Sequence, residues 1–270
     1  MSKNSTSKRI FPHAAQDAKA ALQDPSTAQT RDPAYRLAFQ DMDFLLRQDL
    51  RPVRFQLELL KPQIMIEEAG IASTFVFYGS ARTPSPENVA HSKLPRHLAY
   101  YEAARELARL VSAAPLNPEG KREYVVCSGG GPGIMEGANR GAVDVGAETV
   151  GLNIVLPFEQ APNHYITPHL SFNFHYFALR KMHFLIHARA VAVFPGGYGT
   201  FDELFELLTL MQTRKIKRLP VVLFGERFWR RVIDFEALAD EGVIAHEDLD
   251  LLRFVENAKE AWDFVQDFYK

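Results

Sequence analysis

From about residue 73 onward, apolar residues fall into two alternating rhythms. Short apolar runs at 73–78, 124–127, 149–156, 190–194 and 220–224 have the length and β-branched character of strands buried on both faces. Between them apolar residues recur at helical spacing. Leu98, Tyr101, Ala104, Leu107, Ala108 and Val111 mark a helix over about 96–113, and similar patterns predict helices up to about 145, over 174–188 and over 200–212. A helix with Phe228, Trp229, Val232 and Ile233, a short segment at 242–250 and a helix over about 257–268 close the chain. Residues 163–173, with Tyr165 and Phe172 beside His164 and His169, read as irregular. Strand and helix in alternation predict an α/β, Rossmann-like fold: a doubly wound, mainly parallel sheet with helices on both faces.

Upstream the pattern differs. Residues 1–33 are polar without sustained period and read as a disordered tail. Residues 34–70 predict an N-terminal helical extension of two helices, with Pro52 near a helix start and Pro62 at a kink. These helices suit a cap or a contact between copies. Residues 71–270 then read as one Rossmann-like α/β domain.

The candidate chemistry lies where predicted strands end. Pro195-Gly196-Gly197-Tyr198-Gly199 turns the chain between a strand and a helix, a natural anion site because backbone N–H groups and the helix dipole converge there. Thr200 reads as the N-cap of that helix, with Glu203 completing a capping box. Asp202, Glu203 and Glu206 make the first turn acidic, so a phosphate would rest on backbone amides while Glu203 faces an uncharged or cationic part of the ligand. A carboxylate beside a sugar ring suits a positively charged transition state.

A second glycine turn, Ser128-Gly129-Gly130-Gly131-Pro132-Gly133, follows the 124–127 run. It misses the dinucleotide fingerprint, because Gly137 comes one residue late and Glu148 falls before the next strand. Neither turn is followed by the Gly-Lys-Ser/Thr of a P-loop. Arg180 and Lys181 precede the first-described turn on a helix that is either a solvated face or part of the site. His183 and His187 share a helix face, but without an evident third ligand they read as solvent or subunit contacts.

Composition removes several classes. The 270 residues are 47% hydrophobic, enough for one large α/β core. A net charge of −2 gives no reason to expect nucleic acid or a membrane surface as a partner. No apolar run approaches the roughly 18 residues of a membrane span, and a soluble, cytoplasmic protein is expected. Cys127 is the only cysteine, placed at the end of an apolar run as a small buried hydrophobe.

Both glycine turns, Arg180-Lys181 and Pro195-Gly196-Gly197-Tyr198-Gly199-Thr200-Phe201-Asp202-Glu203, in this order, resemble the Lonely Guy family of phosphoribohydrolases, once labelled lysine decarboxylases. The family's first motif, GGxxGxM, stands here as Gly129-Gly130-Gly131-Pro132-Gly133-Ile134-Met135. The resemblance spans roughly 73–254 and implies hydrolysis of the N-glycosidic bond of a nucleoside 5′-monophosphate to free base and ribose 5-phosphate, without metal or cofactor. It implies Arg180 and Glu203 as the catalytic pair, and Gly196, Gly197, Gly199 and Thr200 as phosphate holders. Ser80, Arg82, Gly130, Gly131 and Lys181 would complete the nucleotide site. Pairing of copies through helices beside the site is also implied, hence a homodimer or an assembly of dimers. Glu136 replaces the glycine of short plant-type members, and the extension resembles the longer bacterial branch, so AMP stands beside a cytokinin riboside 5′-monophosphate as substrate. Pyridoxal phosphate chemistry is not indicated, since neither glycine motif contains a lysine. The alternative is a nucleotide or cofactor carrier, or a sensor, that keeps the fold without the chemistry.

Overall fold

The computed structural model describes residues 11–157 and 161–270. It divides into two compact units, one ending at Leu57 and one running from Glu58 to Lys270. The N-terminal ten residues of the expected tail lie outside the described residues. The rest of that stretch holds α1 (Ala14–Ala21) and α2 (Ala28–Arg31), both closed by capping boxes and neither with a buried residue. After them come α3 (Met42–Leu45) and α4 (Arg51–Glu68). The apolar positions between 35 and 50 therefore make short turns and α3 in place of a first long helix. The second expected helix is α4, which continues through Pro62.

The second unit is built on a seven-stranded, wholly parallel sheet: β1 (Thr74–Tyr78), β2 (Val125–Ser128), β3 (Thr149–Ile154), β4 (Ser171–Phe174), β5 (Ala188–Val193), β6 (Val221–Phe224) and β7 (Arg253–Val255). Their order across the sheet is β4-β3-β2-β1-β5-β6-β7. The fold is thus α/β and doubly wound, as the alternation predicts. Two outer strands correct the sequence reading: β4 lies within the stretch expected to be irregular, and β7 follows the 242–250 segment. In β4 only Phe172 and Phe174 turn inward, and β7 has three residues, too few for a periodic signal.

Strand side chains alternate between two packed layers. Phe75 and Phe77, with Val126, Ala190, Ala192 and Val222, face α5 (Leu98–Ser112), α6 (Ile134–Asp144) and α11 (Ala258–Phe268). Val76 and Tyr78, with Cys127, Leu152, Val191 and Val193, pack with Ile66 of α4, Phe184 of α7 (Phe177–Ile186), Leu204 and Leu207 of α8 (Tyr198–Gln212), and Trp229 of α9 (Glu226–Val232). A further helix, α10 (Phe235–Asp240), precedes β7. Among the described residues no helix is long and apolar enough to cross a membrane.

The chain winds outward in both directions from the β1–β5 pair, so the loops after these two strands diverge and leave a crevice at their carboxyl ends. The turn after β1 joins both glycine turns there. The Ser80 N–H donates to the Pro195 carbonyl at 3.2 Å, and the Ser80 carbonyl accepts from the Ile134 N–H at 3.2 Å.

Candidate active site

A cavity of about 1010 Å³ opens at this crevice. One wall is the 195–199 glycine turn and the start of α8, from Pro195 through Thr200. The sequence reading of the helix start needs correcting. Gly197, in an extended conformation, is the N-cap; Thr200 lies inside the first turn and is buried. Among the described residues no side chain caps this helix, so its leading N–H groups stand at the positive end of the dipole with capacity for a ligand. Because the N-cap falls three residues before Thr200, Glu203 is not a capping-box residue. It lies in the second turn and lines the cavity.

Glu203 meets Arg180 there. Arg180 Nη1 is 3.6 Å from Glu203 Oε1, and the two side chains are 11% and 15% exposed. Arg180 is fixed from behind: Nε donates to the Leu152 carbonyl at 2.6 Å, Nη2 to the Gly129 carbonyl at 3.4 Å, and Cζ lies 5.1 Å from the centre of the Phe184 ring. Five N–H donors exceed these contacts, leaving capacity toward a ligand. Burial is the main force on Glu203 and pushes its carboxyl up to about 7, with Asp202 and Glu206 adding to the rise and Arg180 and Lys181 opposing it. It therefore titrates near neutrality, where a general base or acid works best. Burial likewise raises Tyr78 and Cys127, which lie in the layer beneath the pair and feel the Glu203 charge. Cys127 is a buried thiol, as its place in the sequence suggests.

Lys181 has a different place from its neighbour. Its ammonium bridges Asp202 and Glu206, each at 3.1 Å, and it is not among the cavity's lining residues. The pairing neutralises the acidic first turns of α8, which removes the conflict between those carboxylates and a bound phosphate.

Ser80 and Arg82 also line the cavity. The Ser80 hydroxyl accepts the Arg82 N–H at 3.0 Å, which tightens the turn, and the Arg82 side chain is exposed. From the 128–133 glycine turn it is Gly129, not Gly130 or Gly131, that reaches the cavity. The carbonyls of Gly130 and Gly131 accept instead from the Asn163 side chain at 3.2 and 3.0 Å, and Asn163 also donates to Asn139 Oδ1 at 2.9 Å. A buried polar network behind the wall, completed by Ser128 donating to Asn139 at 2.7 Å, thus sets the shape of the turn. Two glycines are required by this geometry. A side chain at Gly129 would collide with the Arg180 guanidinium, and Gly130 has φ +76° with the Asn153 amide where a Cβ would stand. Gly130→Ala is expected to cost about 2 kcal/mol of stability, measured by urea denaturation.

Several lining residues were not legible as such. Met135 belongs to the glycine motif, and Ile154 and Leu156 end a strand at the ligand-bearing edge of the sheet, a signal that could have found them. Leu94, His97, Phe177 and Phe228 carry no such mark; they supply an apolar and aromatic lining opposite the polar floor. His183 is buried against α4, with Nε2 3.1 Å from the Glu58 carbonyl. Among the described residues no cluster of three or more metal-ligating side chains occurs.

Fold and cavity together define a Rossmann-like protein with an uncapped glycine turn for an anion and a buried carboxylate–guanidinium pair beside it. Residues 135–265 match the family model described as "possible lysine decarboxylase". This match, with both glycine motifs in place, supports the resemblance to the Lonely Guy family. Solved structures similar to the chain include the molybdenum cofactor binding protein of the phototrophic bacterium Rippkaea orientalis, 18% identical with a TM-score of 0.47, covering 73% of this chain and 98% of that one. Another is the Moco carrier protein of Chlamydomonas reinhardtii, 20% identical with a TM-score of 0.45, covering 72% of this chain and 96% of that one. No curated protein matches the chain.

Proposed function

We propose that the protein hydrolyses the N-glycosidic bond of a nucleoside 5′-monophosphate, AMP or a cytokinin riboside 5′-monophosphate, to free base and ribose 5-phosphate. The observation that carries this reading is Glu203: a carboxyl group pushed up to about 7, on the wall of a cavity whose neighbouring wall is an uncapped helix start. The phosphate rests on the N–H groups of the 196–200 turn, and the ribose lies over Glu203. As the bond from C1′ to the base nitrogen breaks, the electron pair leaves with the base and C1′ becomes cationic. The Glu203 carboxylate stabilises that charge and takes a proton from the attacking water, whose oxygen bonds to C1′. The proton then passes to the departing base, so water is the only co-substrate. Arg180 serves the phosphate or the leaving base, its planar fork suiting either.

Chromatography of the products from AMP, other nucleoside monophosphates and isopentenyladenosine monophosphate tests the reading. Release of free base supports it and ranks the substrates. If no base appears while AMP still raises the melting temperature, the site is a carrier or sensor site. We also propose that copies pair, since Leu60 and Ile64 on α4 and Met182 and Ile186 on α7 are exposed apolar side chains in need of cover. Light scattering at micromolar concentration should give at least a dimer; a monomer would contradict the pairing.

A further inference from the structure

The helix that carries Arg180 is held at its start by a residue far away in sequence. No side chain of α7 caps its own N-terminus. Instead the carboxylate of Glu58, on α4, accepts the N–H of His175 at 2.9 Å and the N–H of Tyr176 at 3.2 Å. This is the work a capping-box glutamate does within its own helix, here done by another helix, and its negative charge lies at the positive end of the α7 dipole. One turn on, the Tyr176 carbonyl accepts the Arg180 N–H at 3.1 Å. The Glu58 carboxylate is thus two backbone groups away from Arg180.

The backbone of Glu58 makes a second attachment, and Pro62 is the reason it can. A proline has no N–H, so the carbonyl four residues earlier loses its helical partner. That carbonyl belongs to Glu58, and it is 3.1 Å from His183 Nε2. A carbonyl can only accept, so the ring donates from Nε2. Glu58 therefore grips α7 at its first turn through the side chain and two turns later through the main chain, with Arg180 between the two grips. The proline expected to kink α4 instead frees the group that docks it.

We infer that Glu58 is a positioning residue, which sets α7 so that the Arg180 guanidinium stands over Glu203. The inference gives the helical extension a task at the site, and its kinetic part rests on the proposed hydrolysis. In Glu58→Ala, α7 loses its cap and Arg180 its fixed distance from Glu203. Base release should fall about tenfold in kcat while KM for AMP changes less than about threefold, because the 196–200 turn is untouched. Glu58→Gln, which can accept only one of the two N–H groups, should fall between.

A residue that only stabilised the fold would lower the melting temperature and leave the ionisation of Glu203 unchanged. Burial sets that ionisation first, and the charged groups acting on it are Arg180 and Lys181 from α7 and Asp202 and Glu206 from α8, with the buried Tyr78 and Cys127 beneath. Arg180 is the strongest force holding it down, so its displacement should move the inflection upward by about half a pH unit or more. That inflection can be read without turnover, from the pH dependence of the stability difference between Glu203→Gln and its parent, measured in the full chain with and without Glu58→Ala. An upward move supports the inference. An inflection that stays in place in both Glu58→Ala and Glu58→Gln overturns it, as does wild-type kcat in Glu58→Ala. If the wild-type protein releases no base from any nucleotide, the proposed function fails separately, and the stability titration still decides the role of Glu58.

Discussion

Replacing Glu203 by Gln should lower kcat for base release by about 10³-fold while AMP still binds. The amide keeps the shape of the side chain but can neither hold a negative charge beside C1′ nor take a proton from water. The phosphate contacts, being backbone N–H groups of the 196–200 turn, do not depend on it. The wild-type kcat should rise with pH through an inflection near 7, as the carboxyl ionises, and the residual rate of the variant should lack that inflection. Stability moves the opposite way. The folded state holds the Glu203 proton up to about 7, against an ordinary value of 4.5. Its contribution is therefore fully present below pH 4.5 and lost as pH rises to about 7, a change of about 3 kcal/mol. The variant, always neutral, should become the more stable of the two across that interval and stay so above it. Denaturant unfolding at a series of pH values checks the sign.

Arg180→Met should have the second largest effect. Methionine fills much of the same space against Phe184 but removes the cation that lies 3.6 Å from Glu203. We expect kcat to fall by about 10²-fold and its inflection to move above 7, because Arg180 is the chief force opposing the rise of the Glu203 carboxyl. A buried charge left without its partner costs about 3 kcal/mol or more, but only while it is charged. The variant should therefore be clearly destabilised at pH 9 and much less so at pH 6. Adding Glu203→Gln should restore stability at high pH without restoring activity. Equal destabilisation at both pH values would show that Arg180 acts through packing alone.

The reading of the sequence succeeded where local chemistry and strand ends coincide. Both glycine turns follow apolar runs, and a parallel sheet brings such ends to one edge, so the 196–200 turn, Arg180 and Glu203 line one cavity, whereas from the 128–133 turn Gly129 reaches it in place of the expected Gly130 and Gly131. It failed where the deciding contact is distant. The start of α8 was misplaced because Thr200 followed by Glu203 imitates a capping box, whereas the extended Gly197 begins the helix and frees Glu203 for the cavity. Lys181 looked equivalent to Arg180, yet adjacent helical residues point in different directions, and its ammonium meets α8. Asn163, which shapes the 128–133 glycine turn, and Glu58, which caps α7, had no local signal at all. Their partners lie 33 and 117 residues away, visible only once the sheet has assembled.

The most direct test of the account is to let the protein act on AMP in ¹⁸O-labelled water and to weigh the products. Cleavage at C1′ by water predicts unlabelled adenine together with ribose 5-phosphate carrying one label on the sugar, formed by the wild type and not by Glu203→Gln. Labelled inorganic phosphate with intact adenosine, or no product from any nucleotide that binds, would contradict it.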